Sequence, residues 1–455
     1  MLPEYFEKRE RELLGQRFDE IFSYDTQIAK GATVNLLRCD AEKFIRLADF
    51  KIEASPFCKE GFAVLEPDFK PGRHPYHHAG VFYSQEPSAS APAALLGVEP
   101  GMKVLDLCAA PGGKSSQLAA ALGGQGLLVS NEYNPGRAEI LKSNLERMGV
   151  ANAVVTCGDT GLLAKSFPEF FDRVLVDAPC SGEGMFRKEP QAITQHCEGL
   201  VKQCAQIGAE ILENAVSVLA PGGLLMYSTC TFAPEEDEGQ IAHLLSIHPE
   251  LELVPLKARF GSQGEENRCG GLPLAVDGVR RIWPNQGGEG HFMALLKKNG
   301  EPKERNTAKK GRAGNQKNKK PDADWQAFAQ NYLPKLANRP IIKAGEMILL
   351  PPTTELPDIK SRILRSGVLL GTAKKGRFEP GHHLFMAFGS RFKNREALTL
   401  NDPRTGAWLR GEEIEAKTAE NGWCAVLVDG FPIGGGKVSG GRVKNHYPKA
   451  LRNLK

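Results

Sequence analysis

Between residues 102 and 247 the chain alternates short apolar runs with segments of helical character. We predict strands over 103–108, 126–131, 154–157, 173–177 and 224–228, and helices over 115–122, 135–148, 191–219 and 235–247. Strands that are apolar throughout and alternate with helices build a parallel sheet covered on both faces. The sequence therefore predicts a doubly wound α/β domain, whose ligands bind at the carboxyl ends of its strands.

Residues 1–80 precede this pattern and lack its regularity. They begin with apolar residues at helical spacing from Tyr5 to Phe22, and we expect an extended stretch over 33–37. The segment 56–80 is rich in Pro, Gly and aromatic residues, which is typical of a loop. It contains His74, His77 and His78 without evident Asp or Cys ligands nearby, so we interpret them as part of a solvated loop rather than a metal site.

Cysteine usage and hydropathy narrow the class of protein. The ten cysteines of the 455-residue chain form no C-x-x-C pair, so we expect neither a zinc site nor a disulfide framework. No apolar run reaches the roughly 18 residues that a membrane span requires, and residues 1–8 lack the apolar core of a signal peptide. We therefore expect a reduced, cytoplasmic protein with no metal and no membrane partner.

The net charge of +4 is unevenly distributed. Residues 297–320 contain ten Lys or Arg and two Glu, and residues 431–455 contain six Lys or Arg and no acidic residue. Such charge serves solubility or binds a polyanion. We predict a disordered basic linker over 299–321 and a separate α+β domain over 322–455, with a helix over 322–337 and strands over 347–350, 384–388 and 425–428.

A glycine-rich turn, D-L-C-A-A-P-G-G-K at residues 106–114, joins the first predicted strand to its helix. Such turns let backbone N–H groups approach a ligand closely. A P-loop would need glycine at position 108, which is cysteine, and the dinucleotide pattern G-x-G-x-x-G is absent. A looser S-adenosylmethionine site fits the turn.

Two acidic residues follow the second and third predicted strands. Glu132 comes nineteen residues after Gly113, where a carboxylate can accept hydrogen bonds from ribose hydroxyls. Asp159 ends the third strand and is placed to reach an adenine amine. Either acid alone would suit a strand-end cap or a surface position, but the two together favour a nucleoside cofactor.

Two cysteines and an aspartate follow the fourth and fifth strands, in D-A-P-C-S-G-E-G (177–184) and S-T-C-T (228–231). Neighbouring parallel strands share one crevice, so we expect Asp177, Cys180 and Cys230 to face one pocket beside the cofactor. Methylation of cytosine at C5 requires a thiolate that adds to C6, an acid near N3, and a base that removes the C5 proton. These groups match that requirement, and the alternative is two core cysteines with a helix-capping aspartate.

These motifs, with G-M-F-R-K following the first and Y-S-Q-E-P-S-A at 83–89, resemble the Sun/Fmu family of RNA cytosine-C5 methyltransferases over about residues 1–298. The ending G-K-V-S-G-G-R-V-K-N-H-Y-P-K at 436–449 resembles the bacterial RsmF/YebU branch, which methylates 16S ribosomal RNA. The resemblance implies a Rossmann-like class I methyltransferase domain with a mixed, mostly parallel sheet over 81–298. It also implies an N-terminal α+β RNA-binding extension over 1–80 and a C-terminal α+β PUA-like RNA-binding domain over 322–455.

The resemblance assigns roles to individual residues. It makes Cys230 the nucleophile and implicates Cys180 in release of the product, and it places Lys114 near the target base as well as the cofactor. It also implies an S-adenosylmethionine site formed by Cys108, Ala109, Ala110, Pro111, Gly112, Gly113, Lys114, Glu132, Arg137, Asp159 and Asp177.

We expect a monomer that acts on 16S ribosomal RNA or the small ribosomal subunit, and we weighed three alternatives. A DNA cytosine-C5 methyltransferase would use a Pro-Cys nucleophile, here Cys180, and would leave the motif around Cys230 without a role. A tRNA methyltransferase would keep both cysteines. A non-catalytic ribosome-assembly factor would not require Cys180, Cys230 and Asp177 together. The sequence therefore favours catalysis on RNA, and it leaves the modified cytosine open.

Overall fold

The computed structural model describes residues 2–23, 30–301, 322–374 and 376–452. The chain opens with a small α+β unit, in the order α1 (Glu4–Leu14), α2 (Arg17–Ile21), β1 (Lys30–Val34), α3 (Ala41–Leu47), β2 (Ile52–Ala54), β3 (Gly61–Val64), α4 (Pro75–His78), β4 (Phe82–Gln85) and α5 (Ala91–Leu95). Its sheet has the order β2-β3-β1-β4 with antiparallel neighbours. The amphipathic stretch forms two helices, because Gly15 ends α1 at a φ of 57°. The expected loop over 56–80 contains β3 and α4.

The central unit follows, in the order β5 (Lys103–Asp106), α6 (Gly113–Ala121), β6 (Leu127–Glu132), α7 (Pro135–Arg147), β7 (Ala153–Cys157), α8 (Thr160–Ala164), β8 (Phe171–Asp177), α9 (Pro190–Gln195), α10 (Glu198–Val218), β9 (Leu219–Thr229), α11 (Glu238–Ile247), β10 (Leu251–Val254), β11 (Arg280–Ile282) and β12 (His291–Lys298). The five predicted strands are present. The helix predicted over 191–219 is divided in two, because the extended residues His196 and Cys197 separate α9 from α10.

The strands from β5 to β9 form the parallel centre of a nine-stranded mixed sheet, in the order β9-β8-β5-β6-β7. On the β9 side, β12 and β10 extend the sheet in antiparallel register, and β11 pairs with β12. Alternate strand residues lie in two different cores. Leu105 and Val174 pack with residues of α8, α10 and α11, whereas Val104 and Leu175 pack with residues of α5, α6 and α7. Helices therefore cover both faces, as the apolar strands predicted.

The C-terminal region contains two further sheets. Its elements are α12 (Ala323–Tyr332), β13 (Ile342–Ala344), β14 (Met347–Leu350), β15 (Arg362–Ser366), β16 (Val368–Lys374), β17 (Arg377–Pro380), α13 (His382–Phe388), β18 (Arg395–Leu398), α14 (Pro403–Arg410), β19 (Ile414–Glu415), β20 (Gly422–Val428), β21 (Phe431–Ser439) and β22 (Arg442–Asn445). The sheets have the orders β13-β14-β16-β17 and β18-β20-β21-β22-β19. The predicted strand over 384–388 is wrong, because these residues belong to helix α13. A short, continuously apolar run does not distinguish a buried helix from a buried strand.

The C-terminal region is joined to the central unit by a strand. β15 pairs antiparallel with β7 and forms an edge of the nine-stranded sheet. The buried Arg365 of this strand donates hydrogen bonds to the backbone oxygens of Gly367 and Val150. The predicted basic linker lies outside the described residues from position 302 onward.

The N-terminal unit and the C-terminal region also share a core. Phe44 and Phe82 of the first unit belong to the same buried cluster as Trp408 and Phe431. The hydroxyl of Tyr76 donates a hydrogen bond to Asp429 at 2.8 Å across this boundary. The N-terminal unit and the C-terminal region are therefore packed against each other through apolar side chains.

Candidate active site

The glycine-rich turn between β5 and α6 lines a cavity of about 250 Å³ at the carboxyl end of the sheet. Gly112 has a φ of 111°, which favours glycine, and it caps α6. A Cβ atom at Gly113 would collide with the Gln85 side chain and the Tyr83 ring, so the turn lies close to β4. Other lining residues are Ser84, Ala89, Asp106, Cys108, Ala109, Ala110, Pro111, Lys114 and Asp177.

Asp106 ends β5 at the floor of this cavity and is almost fully buried. Ser115 donates a hydrogen bond to its Oδ2 at 2.6 Å, whereas Oδ1 has no hydrogen-bond partner in the described part of the chain. Burial raises the pKa of Asp106 to about 7. An unpaired, buried carboxylate oxygen in the cavity wall is suited to a ligand that donates a hydrogen bond or carries positive charge.

Glu132, Arg137 and Asp159, which we expected to bind the cofactor, lie outside the cavity lining: Glu132 ends β6, Arg137 is in the first turn of α7, and Asp159 follows β7. The Glu132 carboxylate is buried and accepts the backbone N–H of Asn134 at 2.8 Å. Arg137 donates to the backbone oxygen of Ala110 at 2.8 Å, so it braces the glycine-rich turn. Asp159 is exposed and caps α8 by accepting the N–H groups of Gly161 and Leu162. Their contact with a cofactor stays a prediction.

Asp177 and Lys114 form an ion pair at the carboxyl end of the sheet, with Oδ2 and Nζ 2.8 Å apart. Ser228 donates to the other carboxylate oxygen at 2.8 Å. Burial by itself would raise the pKa of Asp177 and lower the pKa of Lys114. The ion pair outweighs burial, so the pKa of Asp177 is lowered by the Lys114 ammonium and the pKa of Lys114 is raised by the Asp177 carboxylate. Both residues also line a second cavity, of about 280 Å³, which Cys230 borders. The pair therefore stands between two adjoining cavities.

Cys180 and Cys230 face each other with their sulfur atoms 3.4 Å apart. Cys230 directly follows β9 and Cys180 follows β8, and these strands are parallel neighbours. The adjacent Cys230 sulfur, followed by burial, raises the pKa of the Cys180 thiol. The Cys180 thiol is therefore held in its protonated form, and either sulfur can donate the hydrogen bond between them. Asp177 and Cys230 line one cavity, and Cys180 contacts Cys230 beside it.

Buried polar groups hold both cysteine loops in place. Glu236 accepts the Ser181 N–H at 2.9 Å and the Ser181 hydroxyl at 2.5 Å, and Ser181 also contacts the hydroxyl of Thr231 at 2.7 Å. Ser181 follows Cys180 and Thr231 follows Cys230, so these bonds join the two loops directly. Burial raises the pKa of Glu236 to about 8.

Helix α1 packs against the rear of the cysteine loops through buried ion pairs. Glu183 accepts hydrogen bonds from Arg9 at 2.7 Å and from the Phe232 N–H at 3.0 Å. Glu10 and Arg268 are both fully buried, with Oε2 and Nη2 2.6 Å apart. The N-terminal unit therefore contributes to the support of the site, which its sequence did not predict.

The second cavity also contains residues for which the sequence assigned no role. Glu86 and Ala89 belong to the 83–89 motif, whereas Glu289, Gly290 and His291 precede or begin β12. Gly184, Met185 and Lys188 complete its lining with Lys114, Asp177 and Cys230. For Glu86 and Ala89, the sequence gave one indication of a role, which was that they lie in the family motif Y-S-Q-E-P-S-A. The β12 residues are distant along the chain and gave none.

The histidines of residues 74–78 have separate partners. His74 contacts Asp49 at 2.8 Å, and His78 contacts Tyr447 at 2.9 Å. These residues are partly buried and flank the boundary with the C-terminal region, so the solvated-loop interpretation is wrong. No group of three or more His, Cys, Asp or Glu side chains is arranged to hold a metal ion within the described ranges. No described helix is long and apolar enough to cross a membrane.

Comparison with known proteins decides the family. The model for the 16S rRNA methyltransferase RsmB/F matches residues 93–297, and the model for the N-terminal domain of 16S rRNA methyltransferase RsmF matches residues 2–87. The RsmF rRNA methyltransferase first C-terminal domain matches 327–388, and the methyltransferase RsmF PUA domain matches 395–453. A curated ribosomal RNA small subunit methyltransferase F from Shewanella loihica is 31% identical, covering 95% of this chain and 91% of that protein. The chain belongs to the RsmF family of rRNA methyltransferases.

Further relatives agree with this assignment. The methyltransferase F of Shewanella amazonensis is 31% identical over 88% of this chain and 86% of its own length. Among solved structures, a methyltransferase homolog from Pyrococcus horikoshii is 30% identical, with a TM-score of 0.58 over 64% of this chain and 94% of that chain. NSun6 from the same organism, solved with SFG, has a TM-score of 0.56 over 66% of this chain and 99% of that chain. At 19% identity it supports the fold alone.

The family assignment confirms the Sun/Fmu resemblance, the RsmF branch and the Rossmann-like fold. It confirms an RNA methyltransferase with a C-terminal PUA domain. The family models divide the C-terminal region into two units, in line with its two sheets, where the sequence suggested one domain.

Proposed function

We propose that this RsmF-family protein transfers a methyl group from S-adenosylmethionine to C5 of a cytosine in 16S ribosomal RNA, through a covalent bond between Cys230 and C6. The observation that carries the proposal is the 3.4 Å contact of two cysteines beside the Lys114–Asp177 pair, at the edge of two adjoining cavities. One cavity suits a cofactor and the other is bordered by the nucleophile.

The residues around the first cavity fit S-adenosylmethionine. The backbone of residues 108–113 and the Asp106 carboxylate with its unpaired oxygen would hold it, with Glu132 at the next strand end and Asp159 at the one beyond. When bound, the cofactor supplies an electrophilic methyl group. Arg137 keeps the turn in place through Ala110. A dense, pre-formed wall of this kind positions the reacting groups without reorganisation.

In the first step, the Cys230 thiolate adds to C6 of cytosine and the C5–C6 electrons become available at C5. The negative charge that develops at N3 is stabilised by the Lys114 ammonium, which the Asp177 carboxylate holds in place. Before attack, the Cys180 S–H stabilises the Cys230 thiolate at 3.4 Å. The carbon nucleophile at C5 then takes the methyl group.

In the last step, Cys180, which has released its own proton to solvent as a thiolate, accepts the C5 proton. The C5–H electrons re-form the C5–C6 double bond, and the Cys230–C6 bond breaks with its electrons returning to Cys230 as a thiolate. Once Cys230 is a neutral thioether, the charge that raised the pKa of Cys180 is gone, so the Cys180 thiol ionises more readily. If the methyl group enters from the face opposite Cys230, the C5 hydrogen points to the face of Cys230. Cys180 lies on that same side.

We infer that the C-terminal region supplies RNA affinity. Besides the PUA domain, it contains a groove of about 380 Å³ lined by Leu333, Pro334, Lys335, Leu336, Arg391 and Lys393. An apolar floor with cationic rims suits bases and phosphates of single-stranded RNA. We also propose that the protein acts as a monomer in the cytoplasm, where its ten unpaired cysteines stay reduced.

Bisulfite sequencing of ribosomal and transfer RNA from a strain lacking this gene tests the function. A 5-methylcytosine should disappear from 16S ribosomal RNA and return with the wild-type gene, but not with Cys230→Ala. Loss of a mark only from transfer RNA would support the tRNA alternative. Restoration by Cys230→Ala, or no change in any mark, would favour the non-catalytic assembly factor.

A further inference from the structure

The second cavity, which Cys230 borders, has a polar wall that the proposed chemistry does not use. His291, the first residue of β12, is 6% exposed and lines this cavity with Cys230, Lys114 and Asp177. β12 pairs with β9 so that Phe292 lies opposite Thr229. His291 precedes Phe292 and Cys230 follows Thr229, so the antiparallel pairing holds both residues at the same end of the two strands.

A hydrogen-bond relay determines which nitrogen of His291 carries the proton. The Ser88 hydroxyl donates its single hydrogen to the Glu86 carboxylate. The Ser88 oxygen, 2.9 Å from Nδ1 of His291, can then only accept, so Nδ1 carries a hydrogen. Glu86 is itself fixed by the backbone N–H groups of Ser88 and Ala89. Burial lowers the pKa of His291 to about 4, so the ring is neutral and Nε2 has a free lone pair.

The His291 ring has little freedom to move. Gly290 has a φ of 127°, and a Cβ atom there would collide with the Phe232 ring. A Cβ atom at Gly288 would lie 2.8 Å from the Ser88 hydroxyl oxygen, so glycine allows the relay to close. Within the described ranges Nε2 makes no hydrogen bond, and the atom is not fully closed off from the cavity. Its lone pair is available to the cavity.

Cytosine and uracil carry different groups at position 4, and a hydrogen-bond acceptor distinguishes between them. Cytosine presents an N4 amino donor where uracil presents an O4 acceptor. We propose that Nε2 of His291 accepts a hydrogen bond from the N4 amino group of the target cytosine and thereby selects cytosine over uracil, with Ser88 and Glu86 as positioning residues. The proposal rests on the proposed function and adds the residue that determines its base specificity.

A double-mutant cycle, which combines one substitution in the protein with one change in the base, tests the hydrogen bond between His291 and N4. In a Cys180→Ala background, which slows release, the rate of covalent adduct formation is measured with an RNA fragment around the mapped cytosine. The same fragment with pyrimidin-2-one at that position lacks the N4 amino group. His291→Phe is compared with the unchanged histidine on both RNAs. The intrinsic reactivity of each base cancels in the cycle.

Loss of the amino group should slow adduct formation about tenfold or more strongly in the protein with His291 than in His291→Phe. The reason is that either change alone already removes the same hydrogen bond. Equal effects of the base change in both proteins would overturn the proposal. If wild type forms 5-methylcytosine in no RNA, the proposed function itself fails, which is a different result.

A second variant tests the hydrogen-bond relay while leaving His291 itself in place. Ser88→Ala frees Nδ1, so His291 can place its hydrogen on Nε2 and donate to O4 of uracil. Methyl transfer to a fragment with uridine at the target, relative to cytidine, should rise in Ser88→Ala and in His291→Phe. Ser90→Ala is the matched control, since Ser90 is equally buried but bonds the Pro87 oxygen at 2.6 Å. An unchanged uridine-to-cytidine ratio in Ser88→Ala, with a melting temperature like that of the control, would refute the relay.

Discussion

Cys180→Ala should trap the protein on its RNA. The sulfur of Cys180 is 3.4 Å from Cys230, so its removal affects both the attack and the release. For attack, the change removes one hydrogen bond to the nucleophile, worth about 1 kcal/mol, which slows the step by about tenfold or less. For release, it removes the general base, which contributes about 100- to 10,000-fold. Release is therefore slowed far more than attack, and the covalent intermediate accumulates.

The assay is a denaturing gel with labelled RNA and S-adenosylmethionine. Cys180→Ala should give a slowly migrating protein–RNA band, whereas Cys230→Ala and the double variant should give none. Cys197→Ala is the control, because Cys197 is exposed and its side chain caps no helix. A stable band in Cys230→Ala and none in Cys180→Ala would mean that the two roles are reversed, as in the DNA-type alternative.

Three further predictions follow from the support of the site and from its surface. Glu10→Gln leaves the buried Arg268 with Glu265 as its remaining acidic partner, so it should destabilise the protein by about 3 kcal/mol; the exposed Glu12→Gln should not lower the melting temperature. Burial raises the pKa of Glu236 from 4.5 to about 8, so the folded state retains a proton that the unfolded state loses, and this stabilisation disappears as pH rises from 4.5 to above 8. The melting temperature of wild type should therefore fall relative to that of Glu236→Gln over this range, and parallel curves would contradict the assignment. Alanine in place of the three cationic groove residues, Lys335, Arg391 and Lys393, should weaken RNA binding without changing cofactor affinity. The slope of log binding constant against log salt concentration should become less steep by about 0.7 per lost phosphate contact, and an unchanged slope would exclude the groove as an RNA-binding surface.

The interlocked architecture affects how RNA affinity is tested. Removal of residues 322–455 would take β15 from the edge of β7 and Trp408 from the core that it shares with Phe44. An exposed strand edge and a large apolar surface promote aggregation. Point substitutions in the groove therefore separate RNA binding from stability more cleanly than truncation does.

The local pattern of the sequence was sufficient for the parallel centre of the fold and for the strand ends that carry chemistry. Apolar runs alternating with helices have few stable arrangements, and parallel strands bring residues at their carboxyl ends together. Asp177, Cys180 and Cys230 were predicted to meet on this basis, and their motifs identified the family. The turn at 106–114 was located for the same reason, since its glycines lie directly after a strand.

Only the tertiary structure showed which distant segments complete the site. His291 is about 200 residues from Ser88, and Arg268 is 258 residues from Glu10, so no local periodicity relates them. Helix α13 and the edge strand β15 were likewise decided by packing. The short apolar run at 384–388 suits either a helix or a strand, and the mixed sequence of β15 does not indicate β7 as its neighbour. The protonation of Cys180 and the tautomer of His291 depend on the burial and the partners of each group, which exist only in the folded chain.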